Sequence, residues 1–174
     1  MKLRQSVLTA LFAAALCVMA PLAVPVGFVP ITLATLGVYL AAGLLGPWRG
    51  AAAVGLYLLL GAVGLPVFAG FSGGAQQLVG LTGGYLWGYL LCALAAGWLI
   101  RQIPRPALVP LWLATGTVLL YAAGTVWYVW QTGIHPRLAL GTCVLPFLPA
   151  DLIKIAVATA LILPLRRRIK GTKL

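Results

Sequence analysis

Long apolar segments alternate with short breaks of glycine, proline or basic residues along the whole chain. A helix that crosses the hydrocarbon core of a bilayer needs roughly 20 mostly apolar residues. Segments near that length occur at residues 7–24, 30–45, 50–65, 82–100, 107–130 and 146–165. We therefore predict an all-α integral membrane protein with six transmembrane helices.

Two of the predicted segments allow another interpretation. The second and third are short and could form one re-entrant hairpin, but the sequence PWRG between them (47–50) is a strong turn signal and favours two spans. The first segment follows Lys2 and Arg4, which is also the pattern of a cleaved signal peptide. Because apolar residues resume directly after this segment, an uncleaved first span is the simpler interpretation.

The composition agrees with a membrane protein and argues against a soluble domain. Of the 174 residues, 63% are hydrophobic and only 7% are charged, so too few polar side chains remain to cover a soluble surface. A chain of this length suits one compact unit. We expect a single membrane domain over residues 1–174.

The basic residues lie mainly at one side of the predicted bundle. Ten of the 12 fall in the breaks that six spans place on the same side as both termini, whereas Arg137 lies opposite and Lys154 lies inside the last span. Basic loops face the cytoplasm in membrane proteins, so we expect both termini in the cytoplasm. The net charge of +11 does not indicate nucleic-acid binding, because the charges occupy short breaks between apolar runs.

The chain lacks the groups that most enzymes need. It has one acidic side chain, Asp151, and one histidine, His135, and it contains no phosphate-binding loop. Ser72, His135 and Asp151 have the side chains of a catalytic triad, but the sequence around Ser72 is not that of a nucleophile elbow, so a catalytic role is not expected. We expect a binding or transport protein without a cofactor or a metal.

Asp151 is accompanied by Lys154 inside the last apolar segment. A spacing of three places both side chains on one face of a helix. A charge within the membrane costs about 2.5–3.5 kcal/mol, so the pair needs a compensating role. It either fixes this helix against its neighbours or lines a pocket for a ligand with N–H donors beside a carbonyl, because a carboxylate accepts hydrogen bonds and an ammonium donates them.

Small residues predict close helix contacts and one unusual loop. Gly80, Gly84 and Gly88 form one row at spacing four, and Ala10 and Ala14 form a weaker one. The stretch GLPVFAGFSGGAQQLVGLTGGYLWG (64–88) is rich in glycine and aromatic residues but carries no charge. We interpret it as the lid or wall of a binding cavity, the alternative being a packed structural loop.

Four stretches of the chain form a combined pattern: VPITLATLGVYLAAGLLGPWRGA, YLLLGAVGLPVFAGFSGG, LTGGYLWGY and PFLPADLIK. Together they resemble the BioY family, the biotin-binding S components of energy-coupling-factor (ECF) vitamin transporters. The chain departs from the usual family pattern at Ala34, where glutamine is common, and at Leu81, where proline is common. The resemblance implies a six-helix S-component bundle with an outward-facing biotin pocket.

The resemblance also implies roles for particular residues. Asp151 would accept hydrogen bonds from the ureido N–H groups of biotin, and Lys154 would donate to the ureido carbonyl. The remaining pocket residues would be Ser72, Thr32, Phe71, Tyr85 and Phe147. The Ala10–Ala14 row resembles the surface that S components present to a transmembrane coupling protein, which works with two ATPase subunits. The alternatives are an S component or permease for another small solute, and a structural membrane protein with an internal Asp–Lys pair.

Overall fold

Helices form the framework of the protein, which a computed structural model describes at residues 2–24 and 30–171. The longer helices are α1 (Lys2–Met19), α2 (Ala34–Leu45), α3 (Pro47–Ala62), α5 (Gly83–Gln102), α6 (Val109–Thr132) and α8 (Leu148–Gly171). The shorter elements are β1 (Ala23–Val24), β2 (Ile31–Thr32), α4 (Gln76–Val79), α7 (Pro136–Cys143) and 3₁₀ turns at Ala69–Phe71 and Pro106–Leu108.

Each predicted span corresponds to one of the longer helices, but several ends differ. The first helix ends at Met19 rather than at 24, because the following residues turn into strand β1, which pairs antiparallel with β2. The second helix begins at Ala34 rather than at 30, because strand β2 (Ile31–Thr32) precedes it. The third begins at Pro47, since proline fits the first turn of a helix, where its missing N–H is not needed.

Three helical segments of the described chain are long and apolar enough to cross a membrane. They are Gly83–Gln102, Pro106–Thr132 and Leu148–Arg166. The helices Leu3–Met19 and Ala34–Leu45 are apolar but shorter. The protein is therefore mostly helical with clear membrane character.

Glycines allow α5 and α6 to form the most extensive helix pair. A Cβ atom at Gly84 would lie 2.2 Å from Cβ of Trp127, and one at Gly88 would lie 3.1 Å from the carbonyl oxygen of Leu120. The predicted glycine row is thus a packing surface inside the bundle. Gly80 precedes α5, and its carbonyl accepts a hydrogen bond from Trp127 Nε1 at 3.0 Å.

The glycine-rich loop after α3 is ordered and tied to its surroundings. The N–H of Gly70 donates to the carbonyl of Pro21 at 3.1 Å, and that of Gly74 donates to the carbonyl of Gly61 at 2.7 Å. Phe68 is buried and packs edge-on against Tyr57. These contacts place the loop over one end of the bundle, next to the cavities described below.

Candidate ligand-binding site

Asp151 and Lys154 lie in the first turns of α8, on one face of the helix. Both side chains are buried, with 4% and 9% of each residue exposed. Lys154 Nζ lies 2.8 Å from Asp151 Oδ1, so the two form an ion pair inside the bundle. The sequence-based prediction that they share one helix face is confirmed.

Two hydroxyl groups from other helices complete this cluster. The hydroxyl of Thr35, near the start of α2, donates to Asp151 Oδ1 at 3.0 Å and accepts from Lys154 Nζ at 3.0 Å. The hydroxyl of Tyr121 on α6 donates to Asp151 Oδ2 at 2.5 Å. Both carboxylate oxygens therefore have partners, as a buried charge requires. We call Thr35, Tyr121, Asp151 and Lys154 the polar cluster.

The polar cluster borders a small cavity that adjoins a larger one. The cavity beside the cluster has a volume of about 30 Å³, and the larger cavity has about 280 Å³. Pro30, Thr32 and Tyr89 line both, so the two cavities adjoin, and we call them together the hollow, whose polar end lies at the cluster. The larger part reaches the glycine-rich loop through Phe68, Ala69 and Ser72.

Most of the predicted site residues meet around this hollow. Thr32, Tyr85 and Phe147 line it with the ion pair, and Ser72 lines its larger part. Phe71 differs: it is 66% exposed and does not line either cavity, because the loop backbone turns at this residue with φ of 58°. Phe68, three residues earlier, provides the aromatic wall instead.

The two positions that depart from the family pattern lie near the hollow but do not line it. Ala34 is buried at the start of α2, and its N–H donates to Thr32 Oγ1 at 3.2 Å. Leu81 lies largely exposed just before α5. Residues that the sequence analysis missed are Thr35, Tyr89, Tyr121 and, in the larger cavity, Gln77 and Thr82.

Ser72, His135 and Asp151, which the sequence analysis considered as a catalytic triad, each bond to different partners and do not form one. Ser72 Oγ donates to the carbonyl of Ala69 at 2.9 Å, and His135 Nδ1 accepts from the N–H of Arg137 at the start of α7. Asp151 belongs to the polar cluster. Among the described residues, no group of three or more His, Cys, Asp or Glu side chains could hold a metal ion.

The row formed by Ala10 and Ala14 lies on the outer face of α1. Both alanines are exposed, and the larger side chains of Leu3, Val7 and Val18 flank them on the same face. A helix face with two small residues one turn apart allows another helix to approach closely. The row is therefore available to a partner outside the bundle.

The hollow is suited to binding and not to bond cleavage. One end offers a carboxylate acceptor and an ammonium donor, and the walls combine aromatic and aliphatic side chains with hydroxyl groups and one amide. Pockets for small molecules have this composition, with a few polar groups that fix the orientation of the ligand. The small volume beside the cluster means that a ligand head must displace Tyr121 or other wall side chains to reach the ion pair.

Comparisons with known proteins extend this picture. The profile of the BioY family matches residues 1–171. The chain is 41% identical over 169 residues to the biotin transporter BioY of Thermotoga maritima, covering 95% of this chain and 97% of that protein. It is 42% identical over 151 residues to the biotin transporter BioY of Rhodobacter capsulatus, covering 78% of each chain.

A solved structure also resembles the protein closely. The S-component for biotin from an ECF-type ABC transporter superposes with a TM-score of 0.89 at 28% sequence identity, covering 95% of this chain and 92% of that chain. The fold thus defines a helical membrane protein of the S-component class, in which the helices surround the hollow. The chain belongs to the BioY family. This membership confirms the expectation of a transport protein rather than an enzyme.

Proposed function

We propose that the protein binds biotin from the outside of a bacterial cytoplasmic membrane and delivers it as the substrate-capture component of an ECF transporter. The observation that carries the proposal is the polar cluster at the polar end of the hollow, in a chain of the BioY family. Relatives covered over nearly their whole length are named biotin transporters, which supports the same ligand for this chain.

The polar cluster matches the ureido ring of biotin group by group. This ring carries two N–H donors beside one carbonyl. In our proposal Asp151 accepts from the N–H groups after the hydroxyl of Tyr121 or Thr35 has moved aside, and Lys154 donates to the carbonyl. Tyr85 and Phe147 cover the apolar part of the bicyclic head.

The larger cavity would hold the valeryl chain and the carboxylate of biotin. Its volume of about 280 Å³ and its apolar walls at Phe68 and Leu86 suit an alkyl chain. Ser72, Gln77 and Thr82 line the same cavity and offer hydrogen-bond donors to a carboxylate. This proposal gives Ser72 the polar contact that the resemblance implies.

For the membrane topology we propose six spans, formed by α1, α2, α3, α5, α6 and α8, with both termini in the cytoplasm. With 12 residues, α2 is only about 18 Å long, which is shorter than the hydrocarbon core of about 30 Å. Its first turn would then lie below the outer surface, and the ligand site at Thr35 would lie at membrane depth.

We further propose that a transmembrane coupling protein docks on the Ala10–Ala14 row of α1 and connects the chain to two ATPase subunits. The exposure of both alanines supports a close helix contact there. The absence of a phosphate-binding loop from the sequence means that ATP hydrolysis must come from other subunits.

A thermal-shift panel with the purified protein tests the ligand. We expect biotin to raise the melting temperature, because a ligand that binds only the folded state stabilises it by mass action. Thiamine, riboflavin and folate should leave the melting temperature unchanged. Asp151→Asn and Lys154→Ala should abolish the shift with biotin. A larger shift with another vitamin, or an unchanged shift in both variants, would contradict the proposal.

The direct contact within the ion pair and the small adjacent cavity favour a second candidate, a purely structural role for the pair. A double-mutant cycle without ligand measures this role. Removing one partner should destabilise the protein by about 3–5 kcal/mol, and removing both should cost less than the sum. If this coupling is present but no vitamin shifts the melting temperature, the structural role is sufficient and the biotin proposal is wrong.

A further inference from the structure

Three arginines surround a second cavity, at the opposite end of the bundle from the polar cluster. Arg49 at the start of α3, Arg101 at the end of α5 and Arg166 on α8 line a cavity of about 330 Å³. Arg166 follows Asp151 by 15 helical residues, which corresponds to about 22 Å along α8. We call these residues the arginine cluster; none of them lines the ligand hollow.

The fold brings these arginines together through one close backbone contact. A Cβ atom at Gly97 would lie 2.8 Å from the backbone nitrogen of Pro47, so the turn between α2 and α3 rests directly on α5. Arg101 lies one helical turn after Gly97 on the same face of α5, and Arg49 lies just after the turn. This contact therefore holds Arg49 and Arg101 at one site, and Arg166 reaches the same cavity from α8.

No acidic side chain pairs with the arginine cluster in the described part of the chain. The sequence contains one acidic side chain, Asp151, and this carboxylate is bound within the polar cluster. Arg49 Nη2 donates to Gln5 Oε1, which is a neutral group. The C-terminal end of α2 and the N-terminal end of α3 both reach the cavity, so their opposite partial charges offset one another and the three guanidinium groups set its charge. The site as a whole favours an anion from outside the chain.

An apolar groove continues from this cavity along the outer surface of the bundle. The groove has a volume of about 400 Å³ and is lined by apolar side chains, among them Trp98, Leu91 and Leu119. Pro47 and Trp48 line both the cavity and the groove, so a charged site and an apolar site adjoin. Trp48 is 75% exposed, as is typical of aromatic side chains at a membrane interface.

A charged cavity that continues into an apolar groove fits an amphiphilic anion. We propose that the arginine cluster binds the phosphate of an anionic phospholipid, and that one acyl chain of this lipid lies in the groove between Trp48 and Leu119. Arginine binds phosphate oxygens through paired N–H donors, so a phosphodiester suits three guanidinium groups. The proposal requires only that the chain resides in a membrane, and it is independent of the ligand in the hollow.

Native mass spectrometry of the purified chain tests this site. The probes are dioleoylphosphatidylglycerol, its phosphatidylcholine counterpart with the same acyl chains, and sn-glycerol 3-phosphate. We expect the wild type to retain phosphatidylglycerol in preference to phosphatidylcholine. Arg101→Gln should weaken this binding about fivefold and the triple variant R49Q/R101Q/R166Q roughly a hundredfold, at about 1 kcal/mol for each basic residue near anionic lipid.

A matched variant controls for the loss of net charge. The triple variant R4Q/R105Q/R137Q removes the same number of arginines from positions that do not line the cavity, and it should retain the wild-type preference. Equal binding of the two lipids by the wild type, or equal losses in both triple variants, would overturn the proposal. So would competition by sn-glycerol 3-phosphate at the concentration at which the lipid binds, because the site would then recognise a soluble anion.

Brominated acyl chains provide a second measurement that needs no arginine variant. Bromine quenches tryptophan fluorescence at close contact, and Trp98 lines the groove. Trp98→Phe removes a tryptophan that the bound lipid should quench, so brominated phosphatidylglycerol should quench a smaller fraction of the fluorescence than in the wild type. Trp130 is exposed but lies outside the groove, so Trp130→Phe should give a larger quenched fraction than Trp98→Phe. If the arginine triple variant instead loses a coupling protein and the wild type shows no lipid preference, the surface binds protein and the lipid proposal is wrong.

Discussion

At the scale of single residues, the ion pair of Asp151 and Lys154 is already satisfied before any ligand arrives. Thr35 and Tyr121 occupy the acceptor positions on the carboxylate that a ligand N–H would use. Under the proposed function, ligand binding would be an exchange of hydrogen bonds, in which a hydroxyl gives way to a ureido N–H. Such an exchange favours a ligand that restores every bond, because a buried donor or acceptor left without a partner costs about 1–3 kcal/mol.

The exchange makes Tyr121 a test of the site. Tyr121→Phe removes a donor to Asp151 Oδ2 without changing the ring, so the affinity for biotin should change by about tenfold or more, in either direction. Loss of affinity would mean that Tyr121 also supports the bound ligand, and a gain would mean that it only competes with it. Isothermal titration with biotin measures the affinities of the wild type and of Tyr121→Phe and so distinguishes a loss from a gain.

Tyr39→Phe is the matched control for this experiment. The hydroxyl of Tyr39 is also buried and bonds to Thr117 Oγ1 at 2.6 Å, but it does not line the hollow. Its loss should lower thermal stability and leave the biotin affinity unchanged. An equal affinity for the wild type, Tyr121→Phe and Tyr39→Phe would show that Asp151 Oδ2 takes no part in binding.

Sequence reasoning reached the two charged residues of the site and missed their partners. A charge in an apolar helix is conspicuous, and the spacing of three fixes the shared face of Asp151 and Lys154. Thr35 and Tyr121 lie 116 and 30 residues away, and one hydroxyl on a helix gives no signal of a long-range bond. Phe71 was predicted to be a wall residue, but its backbone conformation turns its side chain outward, which a sequence pattern does not reveal.

At the scale of elements, the packing of α5 on α6 holds the aromatic walls of the hollow. Tyr85 and Tyr89 come from α5, and Leu120 and Tyr121 come from α6. Gly84 and Gly88 set the distance between these two helices. The separation of the helices therefore determines the width of the site.

Gly84→Ala should separate the two helices. Its new methyl group would lie 2.2 Å from Cβ of Trp127, which cannot rotate away, so we expect a loss of about 1–3 kcal/mol in stability. Gly55→Ala on α3 is the control, because its methyl group would meet nothing within 4 Å and should be neutral or stabilising. Thermal unfolding in detergent compares the two, and equal stabilities would contradict the packing account.

The outer face of α1 carries a prediction about assembly. Ala10→Trp and Ala14→Trp should prevent co-purification with the coupling protein while biotin still raises the melting temperature, because both side chains point away from the bundle. Leu11→Trp is the control, since this exposed position on the same helix already carries a large side chain. Full assembly of both alanine variants would mean that the coupling protein docks elsewhere.

The long helices could be predicted from apolar length, but the short elements could not. The paired strands β1 and β2 lie in a stretch as apolar as the helices around it, so hydropathy does not separate them, and α7 is a helix of eight residues in the polar break between two predicted spans. The glycines of the loop before α5 indicated irregular backbone, and the loop does line the larger cavity. Its contact with Pro21 depends on the tertiary fold and leaves no trace in the sequence.

At the scale of the whole molecule, the polar cluster and the arginine cluster lie near opposite ends of α8. Under the proposed topology the first faces outward and the second faces the cytoplasm. The distribution of basic residues supports this orientation, because Arg49, Arg101 and Arg105 all lie at the end opposite to Arg137 in a six-span arrangement. A capture site near the outer surface is what uptake from dilute solution requires.

Cysteine labelling in intact cells tests the topology. We expect a membrane-impermeant maleimide to label Arg137→Cys from outside the cell and to label Arg105→Cys only after the membrane is opened, because both side chains are exposed. The parent protein with its three native cysteines is the control for background labelling. Labelling of Arg105→Cys in intact cells would contradict six spans with cytoplasmic termini.

The central claim, that Asp151 and Lys154 recognise the ureido ring, is tested most directly with 2-iminobiotin. Near neutral pH this analogue carries a guanidinium in place of the urea, so it keeps the N–H donors but offers Lys154 a cation instead of a carbonyl acceptor. We predict that the wild type prefers biotin at least about a hundredfold in a direct binding titration, and that Lys154→Met loses most of this preference. An equal preference in the wild type and in Lys154→Met would contradict the account.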